Sequence, residues 1–407
     1  MPSQGNINTI NFLELINGTI KIIVSSLKRH VFCLEYLEKS NSNLIPCVKE
    51  ISFTYIPSSA EIITLNAFNK SEVKNDFVIG ITIIKNSKDV NAMETYLNIY
   101  SEYEENGDFN IENLAQNCLN VQLNFIPHFH GHTELIEWKN DEIINREMVF
   151  LLTGSDSQFH IFREDMNSHS YQEINPEEYF PEFYKCTDIV TWIEIYYLNS
   201  KKERLTVFGT DTGYVRLCRI CTKTNAILLN HSTNFISYVS HIKIYCENKI
   251  IPRPDFLLKA KYQKDQVNEV KEKLLLNVII ANTSVPSVFF RDCLTYGMDN
   301  YKTLRRCDPV SVTSCIEVAD IDFDGHDEIV LGNSRQELLL YKFDKKEEEW
   351  RILETKNVVS PIFRIKYIDI TSDGVRELVV FTMKGLYIFQ HDADYIQKKL
   401  EEKLYSL

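Results

Sequence analysis

Short apolar runs of four to eight residues, separated by small or polar turns, recur along most of the chain. They are rich in Val, Ile, Phe and Tyr, which suit the half-buried, pleated surface of a strand, and their length suits strands better than helices. A two-run pattern returns seven times. It reads IKIIV then VFCLEY from Ile20, VFLL then FHIF from Val149, and LTVFGTDTG then YVRL from Leu205. It returns as VIIANTSVPSVFF from Val278, IVLGNSRQELLLY from Ile329 and LVVFTMKGLYIF from Leu378. An interrupted copy joins FVIGITII at Phe77 to YLNIY at Tyr96. The second runs start 65, 63, 55, 74, 50 and 48 residues apart, the spacing of propeller blades rather than of independent domains. The pattern predicts an all-β fold, a seven-bladed β-propeller occupying residues 1–407 as one domain. Its blades are expected near 9–54, 60–125, 134–180, 188–230, 235–300, 312–354 and 361–391. Two packed β-sandwiches are the competing reading.

Turn and helix signals refine this. Asn17-Gly18 suits the two positive φ angles of a tight hairpin, and Lys384-Gly385 is read the same way. The last blade shows only three strands, so its fourth is expected from the N-terminus, or its edge is expected under a C-terminal helix at 392–405. In that helix Ile396, Leu400 and Leu404 share a face and Asp392 is the cap. Residues 249–273 form a charged insertion, read as a loop or a short amphipathic helix.

Composition narrows the function. The chain carries 44 Lys+Arg against 57 Asp+Glu, a formal charge of −13, which argues against nucleic acid as a partner. No run approaches the ~18 apolar residues of a membrane span. The start, MPSQGNINTINF, lacks the features of a secretory signal, and the ten cysteines are expected as reduced thiols. No nucleophile with an evident base and no phosphate-binding loop occurs, so the chain reads as a non-enzyme.

Two aspartate loops carry the sharpest chemistry. Residues 320–328 place Asp320, Asp322 and Asp324 at alternate positions, with Gly325 for the turn and Glu328 to complete an oxygen shell suited to Ca²⁺. The apolar run that follows is a strand, so the loop is not an EF-hand. Residues 369–377 repeat the design 49 residues later with Asp369, Thr371, Asp373 and Glu377, where Thr371 weakens the charge. A metal-free turn, with carboxylates accepting backbone N–H groups, is the alternative for both. His128, His130 and His132 alternate as a zinc site would, but Pro127 and Gly131 favour a loop of exposed histidines. Cys218 and Cys221, three apart on a strand, point to opposite faces and read as structural thiols. The run Lys345–Glu349 reads as a solvated loop.

The paired loops resemble FG-GAP repeats, the unit of integrin α-subunit propellers. More specific text lies in TYIPSSAEIITLNAFNKS from Thr54, VIGITIIKNS from Val78, YLNIYSEYE from Tyr96 and LAQNCLNVQLNF from Leu114. It continues in FLLTGSD at Phe150, TGYVRL at Thr212, QELLLYKF at Gln336 and ELVVFTMKGLYIFQH at Glu377. Together these resemble the kaptin family, the propeller subunits of the KICSTOR complex, over nearly the whole chain; residues 1–10 and 249–273 match poorly.

The resemblance implies a scaffold that recruits the GATOR GTPase-activating complex to lysosomes and restrains target-of-rapamycin signalling when amino acids or glucose are scarce. It implies a cytoplasmic protein drawn to the lysosomal surface. Its expected partners are a second FG-GAP-type propeller and a large scaffold subunit, with GATOR reached indirectly. No cofactor is required beyond an optional Ca²⁺. The family also carries an actin-filament reading, in lamellipodia and stereocilia. The negative charge opposes it unless a basic patch such as Lys201, Lys202 and Arg204 overrides it. A metal-dependent hydrolase using the Asp loop is the third reading. Within the most family-like text, Tyr55, Pro57, Phe68 and Lys70 are the expected partner contacts, with a buried Phe68 as the alternative. The poorly matched insertion is expected to be dispensable for complex assembly.

Overall fold

The computed structural model describes residues 4–39, 43–86, 93–101, 109–165, 167–247, 274–305 and 311–405. The charged insertion lies outside them. Among the described residues the strands form seven antiparallel sheets in sequence order. Blade 1 holds β1 (Ile10–Glu14), β2 (Ile20–Ser25), β3 (Val31–Lys39) and β4 (Asn43–Ile51). Blade 2 holds β5 (Glu61–Asn69), β6 (Phe77–Asn86), β7 (Met93–Ser101) and β8 (Cys118–Leu123). Blade 3 holds β9 (Pro127–Lys139), β10 (Glu142–Gly154), β11 (Phe159–Asp165) and β12 (Ser170–Ile174). Blade 4 holds β13 (Val190–Leu198), β14 (Glu203–Thr210), β15 (Tyr214–Cys221) and β16 (Ala226–Asn234). Blade 5 holds β17 (Val239–Cys246), β18 (Leu276–Asn282), β19 (Val288–Phe290) and β20 (Tyr301–Thr303). Blade 6 holds β21 (Thr313–Ala319), β22 (Glu328–Asn333), β23 (Glu337–Asp344) and β24 (Glu349–Asn357). Blade 7 holds β25 (Ile362–Ile368), β26 (Glu377–Thr382) and β27 (Leu386–Phe389). The fold is an all-β, seven-bladed β-propeller. The seven repeats in the sequence are the hairpins between the second and third strands of these blades.

The core lies between blades. Each junction buries one face of a sheet against the next, and the ring closes where Ile10, Ile20, Ile22 and Val24 of blade 1 meet Val379 and Phe381 of blade 7. Inner strands bind neighbours by a repeated device. In β13, β17 and β21 a bulge interrupts the pairing with the second strand, between Val190 and Trp192, Val239 and His241, and Thr313 and Cys315. The bulged residue turns its side chain toward the next blade. Thr191 Oγ1 donates to Val239 O, Ser240 Oγ to Thr313 O and Ser314 Oγ to Ile362 O, each at 2.6 Å. In each case the carbonyl of the home blade's second strand lies 3.1 Å away. The approach is close enough that a Cβ on Gly332 would lie 2.7 Å from Ile362 Cγ2, so only glycine fits.

Several local expectations change. Only Gly18 of the Asn17-Gly18 pair has positive φ, at 82°, because the turn is a longer one closed by Leu15 and Thr19. Neither Lys384 nor Gly385 has positive φ. Sheet three starts at Pro127, earlier than the boundary read at 134. Blade 7 keeps three strands. The described N-terminal residues, from Gln4 on, do not supply a fourth, since Gln4 O accepts from Leu27 N–H and Asn6 Nδ2 donates to Ile63 O. The C-terminal helix runs Ala393–Tyr405, with Asp392 Oδ1 accepting Tyr395 N–H at 3.1 Å. It leaves Leu400 exposed and leads toward blade 6, where Tyr395 Oη donates to Asp322 O.

Removing one stitch should cost less than opening the apolar seam. Ser314→Ala strands the buried Ile362 carbonyl and should lose about 1–3 kcal/mol. Phe381→Ala should lose about 3–5 kcal/mol. Urea unfolding of both variants checks the order, and an unchanged midpoint for Ser314→Ala would remove the stitch as a source of stability.

Candidate functional site

Both aspartate loops join the first and second strands of adjacent blades, and their backbones match. Asp320 accepts Asp324 N–H on Oδ1 at 3.0 Å and Gly325 N–H on Oδ2 at 2.9 Å. Asp369 accepts Asp373 N–H at 3.2 Å and Gly374 N–H at 2.8 Å in the same way. Phe323 and Ser372 both take positive φ, as do Gly325 and Gly374. Glu328 Oε2 accepts Ile321 N–H, and Glu377 Oε2 accepts Ile370 N–H, both at 2.9 Å. These bonds lock each loop from its own carboxylates.

The loops differ in what their remaining oxygens face. Oxygens of Asp320, Asp322 and Glu328 converge in the first, and of Asp369, Asp373 and Glu377 in the second. Into the first reaches Lys342 from β23. Its ammonium pairs with Asp322, lies 2.7 Å from Asp324 Oδ2 and 3.0 Å from Glu328 Oε1. Burial pulls the Lys342 pKa down, but the hydrogen bonds its ammonium donates to Asp322, Asp324 and Glu328 outweigh it and hold it above its ordinary value. Burial pushes the Glu328 carboxyl up despite that pairing. A divalent ion at this loop would have to displace the ammonium, so as folded the loop does not fit one.

The second loop has an amide where the first has an ammonium. Ile329 pairs with Tyr341 in blade 6, and Leu378 with Phe389 in blade 7, so Gln390 occupies the register of Lys342. Gln390 Nε2 lies 3.5 Å from Glu377 Oε1. Thr371 Oγ1 donates to Glu377 Oε1 at 2.8 Å, so its hydroxyl is engaged inside the loop. Lys342 escaped the sequence reading because it lies across a hairpin from Glu328. The turn at Ser334-Arg335 was the available signal.

The inner strands line a channel with charge that neutralises itself. Glu194, Lys243, Glu317 and Lys366 hold the same register position in blades 4 to 7, pairing respectively with Val207, Ile279, Val330 and Val379. Their signs alternate. Glu317 lies 3.5 Å from Lys243 Nζ and 3.6 Å from Lys366 Nζ. They face a chamber of about 720 Å³. Above it Arg364 reaches across and sits 4.7 Å from the Trp192 ring.

The four expected partner contacts do not form one patch. Tyr55 is 69% exposed and holds a strained φ of 59°, its carbonyl accepting Asn98 Nδ2. Pro57 beside it is exposed. Phe68 is buried, packed on Phe150 at 4.8 Å between blades 2 and 3. Lys70 is pinned by Asp76 at 3.5 Å and Glu164 at 3.2 Å. The reason is β5, whose nine residues span roughly 30 Å and carry 55–57 and 70 to opposite ends.

Two further expectations change, and the cysteine reading stands. His128, His130 and His132 lie on β9, not in a loop. His128 is exposed, His130 is buried with Nδ1 2.8 Å from Thr64 Oγ1, and His132 Nδ1 contacts Asn66 Oδ1 at 2.9 Å, so they do not converge. The basic patch fails because Arg204 is buried against Glu182 at 2.7 Å, and Lys201 pairs with Glu134 at 2.8 Å. Cys218 is buried and its thiol is pushed up to about 11 by burial; the described cysteines are free.

The family model described as KICSTOR complex protein kaptin matches residues 1–401. The mouse KICSTOR complex protein kaptin is 32% identical over 378 residues, which cover 92% of this chain and 83% of the mouse protein. The chain belongs to the kaptin family. Among solved structures, Saccharomyces cerevisiae Sqt1 superposes with a TM-score of 0.50 at 10% identity, covering 97% of this chain and 87% of Sqt1. The Dos1 propeller superposes at 0.48 with 12% identity, covering 93% and 76%. Within the kaptin family fold, Tyr55 is an exposed aromatic on a loop, while Lys342 and Glu317 sit in ion-pair clusters.

Burial sets a pH dependence. Burial first, and then the neighbouring His132, push the His130 pKa down to about 3 from 6.5. Below 6.5 the unfolded chain takes up a proton that the folded chain refuses, so stability should fall as pH drops from 6.5 toward 3 and be flat above. His130→Gln should make this slope shallower in urea titrations. His241, pushed down by the same burial, should leave a residual slope.

Proposed function

We propose that this chain is a non-enzymatic scaffold subunit of a KICSTOR-like complex. In this reading it recruits the GATOR complex to lysosomes and restrains target-of-rapamycin signalling in amino-acid or glucose starvation. The family match over residues 1–401 carries the proposal. Supporting it, Asp322, Asp324 and Glu328 of the first aspartate loop and Glu317 of the channel are paired with lysines. No helix among the described residues is long and apolar enough to cross a membrane, so lysosomal recruitment would run through partners. The partners are a second FG-GAP-type propeller and the large scaffold subunit, with GATOR beyond them. The example patch weighed for the actin reading does not assemble, since Arg204 is buried.

The contact surface is proposed at Tyr55 and Pro57, without Phe68 or Lys70. An exposed aromatic on a fixed backbone presents area at little entropic cost. For the first aspartate loop we propose that Lys342 stands in place of Ca²⁺; the second loop keeps Ca²⁺ as an open option.

Two outcomes are expected. Tagged chain expressed in its host should co-purify the other KICSTOR subunits, and Tyr55→Glu should weaken that recovery severalfold with an unchanged circular dichroism spectrum. Recovery of actin filaments without those subunits would overturn the scaffold reading. Lys342→Met should lower the melting temperature by leaving Asp322, Asp324 and Glu328 uncompensated, and added Ca²⁺ should restore it in the variant more than it raises the parent.

A further inference from the structure

Blade 7 ends at its third strand. β27 pairs with β26, and no described residue pairs with its other side, where each of the six sister blades carries an antiparallel fourth strand. The register decides which groups face outward. Thr382 N–H donates to Gly385 O at 2.8 Å, so hydrogen-bonded pairs alternate from there to Val380–Tyr387 and Leu378–Phe389. Leu386 and Ile388 therefore turn their N–H and C=O groups toward the vacant side.

A groove accompanies this edge. It holds about 220 Å³ between blades 6 and 7 and is lined by Leu338, Leu340, Leu378 and Phe389. One blade earlier, the fourth strand of blade 6 lines the space between blades 5 and 6. Trp350 of β24 is buried there, its ring 5.5 Å from Phe289 of blade 5. Blade 7 has no described counterpart of Trp350. Lys356 of blade 6 lies instead over the Phe389 ring at 4.4 Å, in no ion pair with a described residue. The N-terminal residues are bonded to blades 1 and 2, and the C-terminal helix starts against the blade 6 loop, where His391 stacks on Tyr395.

We propose that a segment of another polypeptide adds to β27 as the antiparallel fourth strand of blade 7. The sister blades define its chemistry. It is extended, carries large apolar side chains at the alternate positions that face the groove, and bears a carboxylate that draws Lys356 off the Phe389 ring. Backbone bonds to Leu386 and Ile388 fix its direction, and the groove fixes its register. The occupant is set by this edge, whichever complex the chain enters.

Amide hydrogen exchange on the full chain tests this, with a peptide of the β24 sequence, EWRILETKN, as the probe. The Leu386 and Ile388 amides should exchange freely in the chain alone and slow by on the order of tenfold under saturating peptide. The same peptide with proline in place of its isoleucine should protect neither, and Leu340→Asp in the groove should weaken protection by the intact peptide. No protection by the intact peptide would overturn the proposal. So would amides already slow in the chain alone, which would mean that this chain fills its own edge. Protection that grows with protein concentration without peptide would assign the edge to a second copy and overturn it equally.

Discussion

Three successive junctions, from blade 4 to blade 7, depend on a hydroxyl at a β-bulge. A regular inner strand alternates its side chains between the two faces of its sheet. The bulge breaks that alternation, and Thr191, Ser240 and Ser314 use the freed direction to satisfy the first carbonyl of the following inner strand. That carbonyl is buried at the junction, where leaving it unpaired would be costly. One short side chain thus fixes the distance between inner strands. The charged belt one turn of register further on, Glu194 to Lys366, can alternate its signs because the strands that bear it are held in phase.

Blade 7 lacks the device, which is confined to blades 4 to 6 among the described residues. The bulge of blade 7 falls between Ile362 and Arg364, and the residue it frees is Phe363, which has no hydroxyl to offer. The junction with blade 1 is apolar instead, with Phe363 tilted on Phe381 at 6.0 Å and both packed with Ile20 and Ile22. Apolar burial is not directional, so this seam holds largely through area, with one aimed bond from Ser372 Oγ to Gly18 O at 3.2 Å. Propellers often close by sharing strands of one blade between the chain ends. Here the described residues close the ring by side-chain packing, and the last blade is left one strand short.

What the sequence made legible follows from burial. The hairpins of second and third strands were visible because both members are apolar, as in β22, where every residue is buried. First strands were harder to place. β13 mixes Trp192 and Glu194 with aliphatic residues because one face lines a polar channel. Fourth strands were hardest, since β16 is largely exposed and carries little apolar rhythm. Site reading failed for a related reason. The residues 54–71 looked like one surface, yet β5 carries Phe68 into the core and separates Tyr55 from Lys70. The histidines of β9 were misplaced because Pro127 and Gly131 read as loop punctuation, whereas the strand accommodates Pro127 at its first residue.

The aspartate loops show how far local text can be from local electrostatics. Loop one has more carboxylates than loop two, and by composition it is the stronger cation site. Yet the side chain opposite Glu328 is Lys342, and the one opposite Glu377 is Gln390. A hairpin pairs residues about a dozen positions apart, so the balancing charge lies outside any window in which the loop motif is recognised. The richer loop is the one that needs compensation, because three carboxylate groups in partial burial repel one another. With a lysine supplied from the third strand, that repulsion becomes a fixed internal ion pair network joining the loop to the body of blade 6. The same motif one blade later has Gln390 in place of the lysine, and its carboxylates face an amide instead of an ammonium.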